Sequence, residues 1–298
     1  MIIDFHTHIW PVDYMTETMT NYFKSRNLWD ESVSALTSEY LLKIMDKNKI
    51  STSVILGVAV RPDMQNDDLD KINLYVYKEV NNNLKRLVGF FTLNPFDIKN
   101  SQKIISRSVE KFNLSGLKLH PSIQKFFPND KKLFPLYKIM QGYDLPVMFH
   151  TGSVGIIPFH DKFSNPIYID EVACNFPELK IILGHAGKIW HDETAMLMRK
   201  HKNLYAEISA NIGRNKEFSS LPLAWLLYKI KVWAGSFDRV LFGSDYPFYF
   251  QSETIECVNK AAEYLNKENK DFITGEDLEK IYSKNSEDLI NQIKSIKK

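Results

Sequence analysis

Apolar residues occur in short blocks along this chain, and a stretch of helical spacing follows nearly every one. The blocks at 2–5, 52–58, 87–93, 116–119, 146–149, 181–183, 204–208 and 240–242 predict eight strands. Ser53-Val54-Ile55-Leu56-Gly57-Val58 is nearly continuous in apolar character, which suits a strand covered on both faces. Helical spacing fills 67–83, 98–112, 130–142, 166–175, 192–201 and 219–234, then 251–265, 275–283 and 285–296. A further helix starts near residue 38, with Thr37 or Ser38 as its cap, Glu39 in its first turn and Tyr40, Leu41, Ile44 and Met45 as its apolar face. Eight strands alternating with helices predict an α/β protein whose parallel sheet closes into a (β/α)8 TIM barrel. The helical pattern places Trp225 and Trp233 in the core and His191 and His201 on the surface of the helix after the sixth strand.

One segment breaks the alternation. Residues 9–36 carry Trp10, Pro11, Tyr14, Tyr22, Phe23 and Trp29, too many aromatics for a disordered loop. They are expected to form a cap over the barrel mouth, inserted after strand one. No repeat or linker divides the rest, so residues 1–298 are expected to be one domain. Composition agrees: 298 residues, 44% hydrophobic and 25% charged, suit one large core. The net charge of +2, with both signs interspersed, gives no basis for a nucleic-acid or membrane partner, and residues 294–298 read as a solvated basic tail. The two cysteines, Cys174 and Cys257, cannot build a disulfide framework or a cysteine zinc site. With no signal-peptide pattern and no long apolar span, the expected location is the cytoplasm.

The chemistry gathers where strands end. Side chains alternate along a strand, so His6 and His8 share a face. Later strands lead to Arg61, to Lys118 and His120, to His150, to His185, to Glu207, Ser209 and Asn211, and to Asp245. Barrel enzymes build their sites at the carboxyl-terminal face, and imidazoles with a carboxylate arriving there are what a catalytic metal requires.

Five segments then carry a resemblance: His6-Thr7-His8, Gly116-Leu117-Lys118-Leu119-His120-Pro121, Pro146-Val147-Met148-Phe149-His150-Thr151-Gly152, Ile182-Leu183-Gly184-His185-Ala186-Gly187 and Phe242-Gly243-Ser244-Asp245-Tyr246-Pro247. Together the chain resembles the amidohydrolase superfamily, and within it the amidohydrolase-related group that includes aminocarboxymuconate-semialdehyde decarboxylase. The cap and residues 153–165 lie outside the resemblance. It implies a barrel of the metal-dependent hydrolase type, with one divalent metal per chain held by His6, His8, His150 and Asp245. That metal is most often zinc, with manganese or another divalent ion as the alternatives. His185 would be an acid/base beside the water or substrate, a ligand of a second metal, or a support for another ligand. Lys118 would contact substrate, pair with a carboxylate, or be carbamylated between two metals. A homodimer is also implied.

The residues themselves add candidate substrate contacts: Arg61, Lys118, His120, Trp10 and Asn211, with Arg214 and His160 behind them. Glu207 could support a ligand histidine or pair with Lys118. The expected function is hydrolysis of a small amide, ester or lactone by a metal-activated water, with Asp245 shuttling the proton. The alternative on the same site is non-oxidative decarboxylation, or hydration, of a small carboxylated aromatic or unsaturated acid. A barrel that binds metal but has lost catalysis is the remaining reading.

Overall fold

The computed structural model of the chain describes residues 1–14, 16–25 and 36–295. Its eight strands are β1 (Ile2–Thr7), β2 (Ile50–Leu56), β3 (Leu87–Phe90), β4 (Leu117–Leu119), β5 (Val147–His150), β6 (Ile181–Gly184), β7 (Leu204–Glu207) and β8 (Val240–Leu241). All paired neighbours are parallel, in two runs, β1-β2-β3 and β4 through β8. Backbone hydrogen bonds close both seams between the runs. Phe91 N donates to Gly116 O and Lys118 N to Phe91 O, each at 2.8 Å. On the other side Phe5 N reaches Phe242 O at 2.8 Å and His8 N reaches Tyr246 O at 2.7 Å. The ring of strands is therefore continuous, and the fold is the (β/α)8 barrel expected from the alternation.

The helices that flank the strands are close to those read from spacing, among them Asn66–Asn81, Phe134–Gly142, His191–Lys200 and Gln251–Glu268. Thr37 caps the helix Ser38–Lys47, its hydroxyl accepting from Tyr40 N at 3.2 Å.

Two expectations from helical spacing are corrected. Trp225 and Trp233 are 54% and 53% exposed, not core. Their helix, Leu221–Ala234, is apolar all round; Leu223, Leu226, Leu227 and Ile230 take the inward stripe and leave the tryptophans outside. His191 and His201 are buried rather than superficial. His191 Nε2 meets Asn211 Oδ1 at 3.0 Å and His201 Nε2 meets Asp170 Oδ1 at 2.7 Å, so each ring has a polar partner that permits burial.

The described part of the cap packs on the mouth. Ile9 and Trp10 are buried, and the helix Glu17–Ser25 turns Met19 and Phe23 inward. Phe23 stacks on Phe248, beyond β8, at 5.4 Å between centroids, and Tyr22 Oη donates to Phe248 O at 3.2 Å. Residues 15 and 26–35, including Trp29, and 296–298 of the basic tail lie outside the described residues. No helix among the described residues is long and apolar enough to cross a membrane.

Candidate metal centre

Even-numbered positions of β1 face the barrel interior, so Asp4, His6 and His8 form one column. Asp4 is fully buried beneath the histidines and accepts four hydrogen bonds. They come from His6 N at 3.2 Å, Ser244 N at 2.9 Å, Ser244 Oγ at 2.6 Å and Gln251 Nε2 at 2.8 Å. Burial pushes its carboxyl up to about 6 against those donors. The carboxylate ties β1 to the turn after β8, and so sets where Asp245 stands. Asp4→Ala leaves His6 N, Ser244 N and Gln251 Nε2 without this acceptor and Ser244 Oγ with only His6 O at 3.4 Å. A loss of roughly 3–5 kcal/mol in urea unfolding is expected, and a loss under 1 kcal/mol would show that the turn holds without this clamp.

Above Asp4, the hydrogen-bond network assigns the histidine tautomers. His6 Nδ1 lies 2.5 Å from Glu207 Oε2, and His8 Nδ1 lies 3.0 Å from Leu56 O. Leu56 O only accepts, and Glu207 is the acceptor in its other hydrogen bonds, so each Nδ1 carries the proton and each Nε2 presents a lone pair. The two Nε2 atoms are 3.1 Å apart, and Asp245 Oδ1 is 3.4 and 3.5 Å from them. Three acceptors thus converge with no donor among them. Such a cluster of two imidazole nitrogens and a carboxylate oxygen fits a divalent cation.

His150, Glu207 and His185 stand around this cluster. Glu207, at the end of β7, also accepts from His185 N at 3.1 Å, Ser209 N at 2.6 Å and Ser209 Oγ at 3.0 Å. A Cβ at Gly243 would collide with this carboxylate, which explains the glycine after Phe242. With Ser209 Oγ donating to Glu207, His185 Nδ1 donates to Ser209 Oγ at 2.8 Å. His185 Nε2 then accepts from His150 Nδ1 at 3.0 Å. His150 Nε2 is left as a buried lone pair with no partner among the described residues. His150 lies outside the three-atom cluster, stacked on His120 at 3.9 Å. His120 has the opposite tautomer: its Nδ1 accepts from Ile123 N at 3.3 Å, so its Nε2 carries the proton.

The electrostatics keep these rings neutral. Burial, reinforced by the charge of Lys118, holds His6, His120, His150 and His185 well below the usual histidine range. Neutral imidazole is the form that binds metal. Burial also pushes the Glu207 carboxyl up to about 8 and the Lys118 ammonium down to about 8. Lys118 Nζ has no hydrogen-bond partner among the described residues. Of the two roles open to Glu207, the geometry gives it His6 rather than a direct pair with Lys118.

Backbone strain concentrates here. His185, Ala186, Lys188, Ala210 and Asp245 are non-glycine residues with φ between 46° and 64°. Each costs about 1–2 kcal/mol, offset by anchors such as Asp245 N to His6 O at 2.8 Å.

The cluster forms the floor of a cavity of about 170 Å³. Trp10, Lys118 and His120 line it, with Val60, Phe159 and Phe248 among its apolar walls. Arg61 does not: its guanidinium pairs with Asp63 at 3.2 Å and Asp68 at 3.9 Å. Asn211 does not either, its amide being spent on His185 O, Ile208 O, Ser209 O and His191. His160 is exposed and Arg214 lines an outer cleft. Sequence reasoning missed Asp4 and Lys188. Asp4 had a signal, since it shares the parity of His6 and His8 in an otherwise apolar strand.

Comparison with known proteins agrees with this geometry. The amidohydrolase family model matches residues 3–291. No curated protein matches the chain by sequence. Among solved structures, an uncharacterized TIM-barrel protein from Bordetella bronchiseptica is 19% identical with a TM-score of 0.70, over 98% of this chain and 99% of that one. A dihydroxybenzoic acid decarboxylase from Polaromonas sp. JS666, with bound manganese and 2-nitroresorcinol, is 17% identical with a TM-score of 0.71, over 97% and 96%. The 5-carboxyvanillate decarboxylase from Sphingomonas paucimobilis is 16% identical with a TM-score of 0.69, over 97% and 98%. A family match over nearly the whole chain, on a barrel whose strand ends gather acceptors that fit a cation, makes this chain a member of the amidohydrolase family and a metal-dependent enzyme.

Proposed function

We propose that the chain hydrolyses a small planar amide, ester or lactone. The observation that carries this reading is the cluster of His6 Nε2, His8 Nε2 and Asp245 Oδ1, three converging acceptors beneath a small cavity. A divalent cation there, zinc by expectation and manganese as the alternative, would supply Lewis acidity toward a substrate oxygen and an acidified water.

The chain's own residues divide the remaining work. Asp245 takes the proton of the attacking water and delivers it to the leaving group. His120, protonated at Nε2, donates to the oxygen on which charge develops. His185, bonded at both ring nitrogens, orients His150 with its Nε2 as a further acceptor, and acts as an acid or base only where that pair opens. Trp10 and Phe248 exclude water from one side of the cavity.

A second reading, non-oxidative decarboxylation, is supported by the cavity's size and by the solved neighbours. A volume of about 170 Å³ compares with the roughly 150 Å³ that accommodates benzene in an engineered cavity. Two of the neighbouring barrels are decarboxylases of single-ring acids by name.

One experiment separates these readings. Metal content is measured by plasma mass spectrometry, and the metal-loaded protein is assayed against a panel of lactones, amides and aromatic acids. About one metal ion per chain, with new carboxylate and no CO2, is the expected result. Release of CO2 selects the second reading, and failure to take up metal removes both.

A further inference from the structure

We infer that Lys188 holds a carboxylate of the substrate that the reaction leaves intact, so that the substrate carries an anionic group besides its reacting one. This rests on the hydrolytic or decarboxylating centre proposed above and names the class of molecule that centre takes.

The charge of the cavity points the same way. Its charged lining residues are Lys118, Lys188 and Asp245. Two cations face one carboxylate, and a divalent ion would widen the imbalance. The two lysines are not equivalent. Lys118 Nζ is sealed off from solvent, whereas Lys188 is only half-buried and lines the cavity. Lys188 Nζ spends one hydrogen on Ser153 O at 3.1 Å, which aims the group and leaves two donors.

The backbone that delivers Lys188 is unusual. His185, Ala186, Gly187 and Lys188 have φ of 64°, 46°, 73° and 49° in succession. Lys188, with ψ of −111°, would be easier to accommodate as glycine. The partner strand end is fitted to it: a Cβ on Gly152 would stand 2.5 Å from Lys188 Cβ. A strained lysine, packed on an obligatory glycine and opening into the cavity, has no structural need to be lysine. Burial holds its ammonium below the usual lysine range; of the charged groups that act on it, Asp245 and Asp161 favour the ammonium and Arg214 opposes it. Asp161 is engaged by Ser153 Oγ at 2.6 Å and Val154 N at 2.8 Å, which leaves the Lys188 ammonium open to a ligand. An ammonium in a half-buried apolar cleft recognises a carboxylate by a charge-assisted hydrogen bond.

The test uses isophthalate and benzoate as probes, which differ by one carboxylate, in calorimetric titrations of the metal-loaded protein. The parent is expected to bind isophthalate at least tenfold more tightly than benzoate. Lys188→Met should lower isophthalate affinity at least tenfold and abolish that ratio with metal content unchanged, while Lys188→Arg should keep it. Lys188→Gly, which suits the left-handed backbone, should lose the ratio while melting no lower than the parent, and it serves if the methionine variant does not fold. Equal binding of the two probes by the parent, or a ratio that survives in Lys188→Met or Lys188→Gly, would overturn the inference. The titrations are repeated on metal-stripped protein. A loss of isophthalate affinity from parent to Lys188→Met that persists there stands even if the metal-centred reading fails, and loss of metal uptake with that difference intact condemns only that reading.

Discussion

Asp245→Asn is expected to lower turnover by about 10³-fold, within the range for removing a positioned acid or base, when assayed with metal in excess on whichever substrate the panel identifies. The size follows from what asparagine keeps and what it loses. Asp245 has φ of 64°, and asparagine is among the residues that tolerate this region best. Its backbone N–H still donates to His6 O, so the turn after β8 survives. The amide oxygen can stand where Oδ1 now stands, 3.4 and 3.5 Å from the two imidazoles. Basicity is lost: an amide cannot take a proton from water and pass it on. The check is steady-state kinetics with metal content measured on the same sample. Turnover within tenfold of the parent would remove Asp245 from proton transfer and leave it only among the acceptors of the cation.

Glu207→Ala should have the second largest effect, and in two places. Glu207 accepts from four donors, His6 Nδ1, His185 N, Ser209 N and Ser209 Oγ, all buried. Stranding them costs about 1–3 kcal/mol for each that finds no substitute, so a drop of roughly 4 kcal/mol in urea unfolding is a fair expectation. His6 also loses the partner that keeps its proton on Nδ1. Either tautomer then becomes accessible, and metal affinity should fall about 10–100-fold, as for other residues that orient a ligand histidine. Chelator competition measures that fall. Glu207→Gln sharpens the test. With its oxygen at the Oε2 position its NH2 group faces Ser209 N–H, donor against donor, so it should lie between alanine and the parent. Unchanged metal affinity in both variants would mean that His6 is oriented without Glu207.

Much of the architecture was legible from pattern alone because the relevant physics is local. Strand side chains repeat every two residues, which put His6 and His8 on one face before any fold was known. The same rule, applied one step further back, would have found Asp4. Helical spacing was a poorer guide to which face is inward. In Leu221–Ala234 apolar residues surround the axis, and periodicity has no preferred side to report. Histidine burial was misjudged for a related reason: His191 and His201 are accommodated by Asn211 and Asp170, twenty and thirty-one residues away in sequence.

By itself the sequence determined the eight alternating units, the barrel they imply, and the set of imidazoles and carboxylates that reaches its carboxyl-terminal face. Tertiary structure alone decided how those groups are used. It put Glu207 against His6 across 201 residues of chain, left Lys118 sealed off, sent Arg61 to surface carboxylates and spent Asn211 on the backbone. It also brought Lys188 to the cavity, through four successive left-handed residues and the space left by Gly152. The reason is physical. A residue type and its parity are written in the chain, whereas a tautomer, an orphaned ammonium or a strained turn is set by which distant atoms share its few ångströms, and only the closed barrel brings those together.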